Sequence, residues 1–182
     1  MKLIQTINDA YELLAEGKIL AYPTEAVYGL GCDPFNKASI ENLINLKHRQ
    51  VEKGLIVLIA NWEQLALLTK PIPEENLQAV RSTWPGPVTW IFPKSELVSS
   101  ALSGTHNTIA VRMSAHPIAR KLCSQHPIVS TSANLSGKEP ACSIEQLRQQ
   151  FPTGIDAVFA GELGGALNPS KIYDVLTGKR LR

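Results

Sequence analysis

The sequence predicts an α/β fold, in which one domain carries a twisted sheet of parallel and antiparallel strands flanked by helices. Short apolar runs of strand length alternate with amphipathic helical segments along the chain. The run at residues 55–59 is apolar throughout, which is typical of a strand covered on both faces. The length of 182 residues suits one domain and no repeat or long linker divides it, so we expect a single domain over residues 1–182.

Apolar positions spaced three and four residues apart predict the helices. Gly17 ends the first of them, Pro117 suits the first turn of a later one, and Ser143 with Gln146 forms a capping box. The predicted helices cover residues 7–16, 37–47, 62–68 and 74–83, a segment that begins near residue 117 and a segment that follows residue 143.

Short apolar runs between these helices predict the strands. The run at residues 88–92 lies between Pro87 and Pro93, a setting that favours some antiparallel pairing. The predicted strands cover residues 19–22, 55–59, 88–92, 109–113 and 128–130, with short strands near residue 158 and at residues 172–175.

The composition excludes several classes of protein. With 18 basic and 16 acidic residues, the net charge of +2 is too balanced for nucleic acid or a membrane surface to be the main partner. Local basic patches remain at residues 47–53 and 179–182. The three cysteines form no CxxC pair and are expected to be reduced thiols. Without a signal peptide or an apolar run of about 18 residues, the protein is expected to be cytoplasmic.

The common nucleotide and hydrolase motifs are absent from the sequence. Lys138 follows a glycine but precedes Glu139, so no Walker loop is present, and Pro34 stands where a dinucleotide-binding fingerprint requires its third glycine. Neither HExxH nor GxSxG occurs. The usual metalloprotease, α/β-hydrolase and P-loop functions therefore have no support.

Polar residues cluster where predicted strands and helices end, and ligands of α/β sheets bind beyond strand ends. Thr24 follows the first strand, and Gly29 and Gly31 suit either a close approach to a ligand or a tight connection. Lys47 and Arg49 are two residues apart, so they share one ligand only if the helix ends there. Two converging cations suit a polyphosphate, and a solvated helix end is the simpler alternative.

Two further clusters complete the predicted site. Strand alternation places Arg112 on the same face as Ala110, and a guanidinium there suits a carboxylate or phosphate partner if it is buried. Residues 129–137 bring four hydroxyl groups and one amide to a strand exit, and they suit either hydrogen bonds to a ligand or a polar turn. Ser170 adds one more hydroxyl.

Taken in order, these segments resemble one family closely, the YrdC-type threonylcarbamoyl-AMP synthases. The resemblance extends from about residue 8 to residue 182. The segments that carry it are 22–31 (YPTEAVYGLG), 47–49 (KHR), 84–89 (WPGPVT), 110–112 (AVR), 130–137 (STSANLSG) and 168–170 (NPS). Many relatives differ in one loop, with Gly-Arg-Pro after the signature lysine and a proline before the next strand, where this chain has Gln50 and Gly54.

The resemblance implies an enzyme that condenses L-threonine, bicarbonate or CO2, and ATP into threonylcarbamoyl-AMP and pyrophosphate. Partner proteins then transfer the threonylcarbamoyl group to adenosine 37 of tRNA. ATP is a substrate, Mg²⁺ is expected with it, and no tightly bound cofactor or protein-held metal is implied. The implied ATP-binding residues are Lys47, Arg49, Thr108, Ser132, Asn134 and Ser170. The implied threonine-binding residues are Thr24, Arg112 and Ser132.

Charge indicates how the implied reaction proceeds. The threonine amine adds to CO2, and the resulting carbamate anion attacks the negatively charged α-phosphate. Lys47 and Arg49, the expected catalytic residues, would screen this repulsion together with Mg²⁺. We expect substitution of Lys47 by alanine to slow adenylate formation with the fold intact, and no general base is assigned.

Two alternatives belong to other functional classes. One is an RNA-binding module that acts on structured RNA or in ribosome maturation without catalysis, for which RNA affinity would depend steeply on salt. The other is carbamoyl transfer, as in the similar domain of hydrogenase-maturation carbamoyltransferases, which are longer and carry cysteine pairs that this chain lacks.

Overall fold

The computed structural model describes residues 1–166 and 168–182, and in these ranges the chain forms nine strands, seven α-helices and one 3-10 helix, η1 (Val51–Lys53). The strands are β1 (Lys2–Ile4), β2 (Leu20–Pro23), β3 (Tyr28–Gly31), β4 (Ile56–Ile59), β5 (Val88–Pro93), β6 (Thr108–Met113), β7 (Ile128–Ser132), β8 (Ala157–Phe159) and β9 (Lys171–Asp174). The helices are α1 (Ile7–Ala15), α2 (Lys37–Leu46), α3 (Trp62–Leu68), α4 (Glu74–Thr83), α5 (Ser100–Ser103), α6 (Pro117–Leu122) and α7 (Ile144–Gln150). Over the described residues, none of the helices combines the length and the apolar character that a membrane span requires.

The α/β fold class is confirmed, and every predicted helix and strand is present with similar bounds. The sequence did not predict β1, β3 or α5. In β3 the alternating glycines look like a turn, and only its pairing with β2 and β7 makes the segment a strand. The predicted capping box is half formed: Ser143 caps α7 through the Gln146 N–H, but the Gln146 side chain accepts from the N–H of Cys142.

All nine strands of the described residues belong to one mixed sheet with the order β1-β8-β2-β3-β7-β4-β6-β5-β9. The centre of the sheet alternates in direction, because β3 pairs antiparallel with β2 and β7, and β7 pairs antiparallel with β4. The pair β4 and β6 is parallel, and β5 is antiparallel to β6, as its flanking prolines predicted.

The two faces of the sheet are covered differently. Buried apolar side chains of one face pack with α2, α3 and α5 into the larger core, which includes Val57, Leu43 and Leu68. On the other face, Leu20, Tyr22, Leu58 and Ile128 pack under α1 and α6 in a smaller cluster. These two short helices cover only part of that face, so the remainder is left for a cavity.

The turn between β2 and β3 reaches across this face to the end of β6. In the sheet order three strands, β3, β7 and β4, lie between β2 and β6, yet Glu25 of the turn contacts Arg112, Ser114 and Ala115. Neighbouring strands rotate by about 20–25° each, so four steps bring β2 and β6 to a large angle. A twist of that size would bring the turn after β2 nearer to the end of β6 than a flat sheet would.

Gly29 and Gly31 of β3 have different surroundings. A Cβ atom at Gly31 would lie 2.5 Å from the carbonyl oxygen of Val129 and 2.8 Å from the Ile128 side chain, whereas one at Gly29 would meet the Thr24 and Tyr22 side chains at 3.2–3.3 Å. Gly29 lines the cavity and Gly31 does not. Of the two, Gly31 is therefore required for sheet packing, and Gly29 borders the candidate ligand space.

We expect Gly31→Ala to lower the free energy of unfolding by about 1–3 kcal/mol, because the added methyl group overpacks a fixed backbone. Gly29→Ala is the matched control and should cost less, since side chains rather than backbone would yield. Urea denaturation of both variants measures the difference. Equal losses of stability would show that the contact with Val129 does not set the requirement for glycine.

Candidate active site

A cavity of about 210 Å3 lies on the uncovered part of the sheet face. Its floor is formed by alternate residues of adjacent strands, Ile56 and Leu58 of β4, Arg112 of β6 and Ser130 of β7. Its walls come from residues 24–28, from Arg49, and from the segment that contains Ser170 and Arg182. The site was predicted at strand-end loops, and the loops indeed form the walls, but the floor is the sheet itself.

The hydroxyl-rich segment after Val129 continues the strand. Thr131 and Ser132 pair with Leu30 and Gly29 of β3, so β7 ends at Ser132. The prediction that this strand ends at residue 130 is therefore wrong. Tertiary pairing overrides the preference of serine for turns, and it places the side chains of Ser130 and Ser132 on the face that carries the cavity.

Lys47 is buried with 3% of its surface exposed, and its ammonium group binds the segment that leaves β7. The Nζ atom donates to the carbonyl oxygens of Ser132 and Asn134, the latter at 2.6 Å, and to Asn134 Oδ1 at 3.3 Å. The main chain strengthens the same junction, because the N–H of Ser136 donates to the carbonyl of Lys47 at 3.0 Å. All three ammonium hydrogens of Lys47 therefore have protein acceptors.

Asn134 connects the members of this network. Its Oδ1 atom also accepts from Ser132 Oγ at 2.6 Å, and its amide nitrogen donates to the carbonyl oxygens of Leu135 and Lys138, both at 2.9 Å. Burial and, to a lesser extent, the positive charge of Arg49 together lower the pKa of Lys47 to about 8. The ammonium form therefore still predominates at neutral pH, where it supplies the three donors.

The end of α2 explains how Lys47 and Arg49 both face inward. The helix ends at Leu46, the N–H of His48 returns to the carbonyl of Asn45 and the N–H of Arg49 returns to Ile44. His48 has a φ of 50°, as in a Schellman C-terminus. The expectation that the helix must end at this point is confirmed.

Arg49 and Arg182 place two guanidinium groups at the cavity. Arg49 donates to the carbonyl of Gly54 at 2.9 Å, and Arg182 donates to the carbonyl of Ser170 at 2.9 Å. Burial lowers the pKa of Arg49, and the positive charge of Arg182 adds to the effect. Within residues 1–166 and 168–182, neither guanidinium forms a salt bridge, so this part of the cavity carries uncompensated positive charge.

Gly54 departs from the family pattern for a visible reason. Its φ is 58°, and a Cβ atom there would lie 2.9 Å from the carbonyl oxygen of Ser103. A proline, whose φ is fixed near −65°, cannot adopt this conformation. The segment between Arg49 and β4 therefore follows a backbone path that only glycine allows at this position, and it ends where Arg49 binds the Gly54 carbonyl.

Arg112 is fixed by one hydrogen bond and one ion pair, and the alternation predicted for its strand is confirmed. Its Nε donates to the carbonyl of Gly86 at 3.0 Å, and its Nη2 lies 2.6 Å from Glu25 Oε1. Glu25 Oε1 also accepts from Ser114 Oγ at 2.8 Å and from the N–H of Ala115 at 3.0 Å. Burial by itself would raise the pKa of Glu25, but Arg112 and these donors outweigh it, so the pKa lies below its ordinary value of 4.5.

The structure brings most of the predicted site residues together, although their roles stay predictions. Those that line the cavity are Thr24, Arg49, Arg112, Ser132 and Ser170. Lys47 and Asn134 lie behind the wall and hold it, and Thr108 lies outside the cavity at the start of β6. The sequence interpretation missed Glu25 and treated Arg182 only as part of a basic tail. The adjacency of Glu25 to Thr24 was the one available signal.

A family model for Sua5, YciO and YrdC proteins, described as telomere recombination, matches residues 12–182. The chain belongs to the Sua5/YciO/YrdC family. Among its relatives, the threonylcarbamoyl-AMP synthase of Coxiella burnetii is 45% identical over 98% of this chain and 97% of the relative. The threonylcarbamoyl-AMP synthase of Yersinia enterocolitica is 46% identical over 97% of this chain and 94% of the relative.

Solved structures of the Sua5/YciO/YrdC family share the fold. P. abyssi Sua5 complexed with L-threonine is 35% identical with a TM-score of 0.89, covering 98% of this chain. The chain spans 55% of the length of that Sua5 protein, so the match concerns about half of it. E. coli YciO, at 22% identity and a TM-score of 0.81 over 95% of this chain, supports the fold alone.

We expect Lys47→Met to lower the free energy of unfolding by about 1–3 kcal/mol, because three partly buried oxygen atoms lose their donor. From the sequence alone, Lys47→Ala is expected to slow adenylate formation with the fold intact. With the structure, we expect substitution of Lys47 to reduce stability as well. Lys53→Met, at an exposed position of η1, is the matched control and should be neutral. Urea denaturation measures both variants, and equal stability of the two would contradict the anchoring role of Lys47.

The stability of the protein should depend on the ionisation of Glu25. A carboxyl group whose pKa is lowered by folding stabilises the fold fully above the pKa of the unfolded state and loses this contribution as the pH falls through the folded pKa. The stability difference between wild type and Glu25→Gln should therefore shrink below about pH 4.5. Glu162→Gln, at an exposed position, is the control, and urea denaturation across pH 3–7 measures all three. A difference that is constant with pH would contradict the ion pair.

Proposed function

We propose that this chain is an L-threonylcarbamoyl-AMP synthase. It condenses L-threonine, bicarbonate or CO2, and ATP into threonylcarbamoyl-AMP and pyrophosphate, with release of water when bicarbonate is the carbon source. The observation that carries the proposal is the 45% identity over nearly the full length of both chains to a threonylcarbamoyl-AMP synthase. The cavity supports it, since it combines guanidinium and hydroxyl groups that suit phosphates and a carboxylate.

The positively charged part of the cavity suits the phosphates. Arg49 and Arg182 lie at the cavity without acidic partners in the described part of the chain, and Arg182 holds Ser170 beside them. Neighbouring like charges favour an anion between them, and guanidinium groups bind phosphate oxygens in bidentate fashion. We assign the triphosphate to this part, where it would neutralise both side chains.

Threonine belongs in the part of the cavity near Arg112. Its carboxylate would bind the guanidinium, and Thr24 Oγ1, which donates to the carbonyl of Val27 at 2.6 Å, retains lone pairs that can accept from the ligand. Ser132 lies between this part and the Lys47 network and can reach either substrate. The P. abyssi relative, whose structure contains L-threonine, supports the assignment of an amino-acid site to this fold.

The dimensions of the site limit where the nucleoside lies. The cavity of about 210 Å3 is smaller than the 300–1,000 Å3 usual for drug-sized ligands, so we expect threonine and phosphates to occupy it and the nucleoside to extend beyond it. Thr108 lies on the same face of β6 as Arg112 and about 13 Å away, at about 3.3 Å per residue. A nucleotide that extends from the cavity along β6 would bring its nucleoside near Thr108, as the family resemblance implies.

Catalysis in this arrangement depends on positioning and charge. The threonine carbamate must attack the α-phosphate, and Arg49 and Arg182 would reduce the repulsion between the two anions. Lys47 would act through the wall that it holds, because its three hydrogens are bound to Ser132 and Asn134. In the described residues no cluster of acidic, histidine or cysteine side chains is suited to a metal ion, so Mg²⁺ would enter with the triphosphate.

The product would be consumed by partner proteins that transfer the threonylcarbamoyl group to adenosine 37 of tRNA. Direct contact with tRNA is compatible with the exposed basic residues Lys53, Lys179 and Arg180. A pure RNA-binding function is not favoured, because the full-length relatives are named as synthases. Carbamoyl transfer remains distinguishable by substrate, since carbamoyl phosphate should not replace threonine and bicarbonate.

Incubation with ATP, bicarbonate and one amino acid at a time tests the proposal. Pyrophosphate and a labile AMP adduct should form with L-threonine and with no other amino acid, because the site must recognise both the zwitterion and its side chain. Coupled pyrophosphate detection and mass spectrometry of the adduct provide the measurement. RNA binding without any ATP consumption would favour the RNA-binding module instead.

In the same assay, Arg49→Met should reduce adduct formation on the order of 100-fold, the usual effect of removing one group that stabilises developing charge. The control is Arg148→Met, which removes an exposed guanidinium from α7 and should leave the rate unchanged. Equal rates for the two variants would contradict the placement of the triphosphate beside Arg49.

A further inference from the structure

Glu25 gives the Arg112 side of the cavity an unusual charge. Among the described residues that line the cavity it is the only acidic one, whereas Arg49, Arg112 and Arg182 are basic. The carboxylate lies 2.6 Å from Arg112, and the two side chains are 14% and 12% exposed. The charges of Arg112 and Glu25 therefore offset each other, whereas Arg49 and Arg182 have no acidic partner among the described residues. Arg182 is nevertheless near the pair, since burial and the positive charge of Arg112 lower the pKa of Arg182.

Each partner of the ion pair has one buried atom without a hydrogen bond. Glu25 Oε1 is saturated by its donors, but Oε2 has no partner, and Arg112 Nη2 contacts Oε1 closely without the angle of a hydrogen bond. Buried polar atoms without partners are costly and rare. One of these atoms requires a donor and the other an acceptor. An α-amino acid supplies both, through its ammonium and its carboxylate.

Charge balance leads to the same class of ligand. A simple carboxylate that binds Arg112 would place a second negative charge beside Glu25, and like charges close together in a partly buried site repel strongly. A zwitterion adds no net charge to the pair. A group that penalises the wrong ligand as well as attracting the right one is a common source of specificity.

The backbone of Glu25 is held in place, so the carboxylate remains near this position. The N–H of Ala166 donates to the Glu25 carbonyl at 2.8 Å, and the N–H of Gly164 donates to the Thr24 carbonyl at 3.0 Å. Ser114, which is buried, orients the carboxylate from the opposite side and is itself held by the N–H of His116 at 3.1 Å. Oε2 is buried in this structure, so a ligand on Arg112 would reach it after a rotation of the Glu25 side chain.

We propose that Glu25 is the specificity-determining residue that makes the Arg112 part of the cavity select α-amino acids, by binding the α-ammonium group, over carboxylic acids of the same shape that lack it. The inference deepens the proposed function and rests on it, because it concerns how the amino-acid substrate is recognised before any bond forms.

Isothermal titration calorimetry with two probes tests the inference. L-Threonine and (R)-3-hydroxybutyrate share the carboxylate, the hydroxyl and the methyl group, and only threonine has the ammonium. Wild type should bind threonine at least about tenfold more tightly. Glu25→Gln, of nearly the same size, should reduce this ratio at least about tenfold by weakening threonine binding and by strengthening, or leaving unchanged, hydroxybutyrate binding.

If Glu25 had a purely structural role, Glu25→Gln would weaken the binding of both ligands by the same factor. An unchanged ratio of the two affinities in a folded Gln variant would therefore overturn the proposal. Glu25→Asp, which keeps the charge, should retain more of the preference for threonine than the Gln variant. Glu162→Gln is the charge-matched control at an exposed position outside the cavity lining, and it should keep the wild-type ratio.

If Glu25→Gln does not fold, the inference is tested by the ratio of the threonine and hydroxybutyrate affinities of the wild-type protein. If the wild-type protein binds threonine and hydroxybutyrate with nearly equal affinity, this inference is overturned and the proposed function stands. A tenfold or larger preference for threonine supports the inference. Absence of threonine binding to the wild-type protein in the presence of ATP would overturn the proposed function and this inference with it.

Discussion

The buried ammonium of Lys47 joins the two parts of the chain on which the site depends, the end of α2 and the segment that leaves β7. A lysine is costly to bury, and this one is stabilised because three oxygen atoms of Ser132 and Asn134 accept its hydrogens. The same contacts fix Ser132 at the edge of the cavity. With Lys47 in place, the C-terminal turn of α2 directs Arg49 toward the ligand space. The buried ammonium of Lys47 therefore positions both the Ser132 hydroxyl and the Arg49 guanidinium.

The charged residues that line the cavity are of two kinds, paired and unpaired, and they match two kinds of substrate. Arg49 and Arg182 lie together without acidic partners among the described residues and are suited to a triphosphate. Arg112 is paired with Glu25 and is suited to a ligand without net charge, such as an amino acid. Since the two parts share one floor, a carbamate formed on the amino acid would lie next to the phosphates that it must attack.

Much of the fold was predictable because most of its elements have a strong local signal. The helices α1, α2 and α4 show clear apolar spacing, and β4 is apolar throughout. The strand β3 was not predictable, since its Tyr-Gly-Leu-Gly sequence becomes a strand only between β2 and β7. The extension of β7 to Ser132 has the same cause, because serine prefers turns until a neighbouring strand supplies hydrogen-bond partners.

The sequence by itself determined the family, the chemical character of the site and five of the residues that line the cavity, because the order of its motifs carries that information. The tertiary structure alone decided that Lys47 supports the wall while Arg49 faces the cavity, and that Glu25 neutralises Arg112 from a turn three strands away. The physical reason is the twist of the mixed sheet. Contacts between residues distant in sequence depend on the angles accumulated across five strands, and no local pattern encodes that sum.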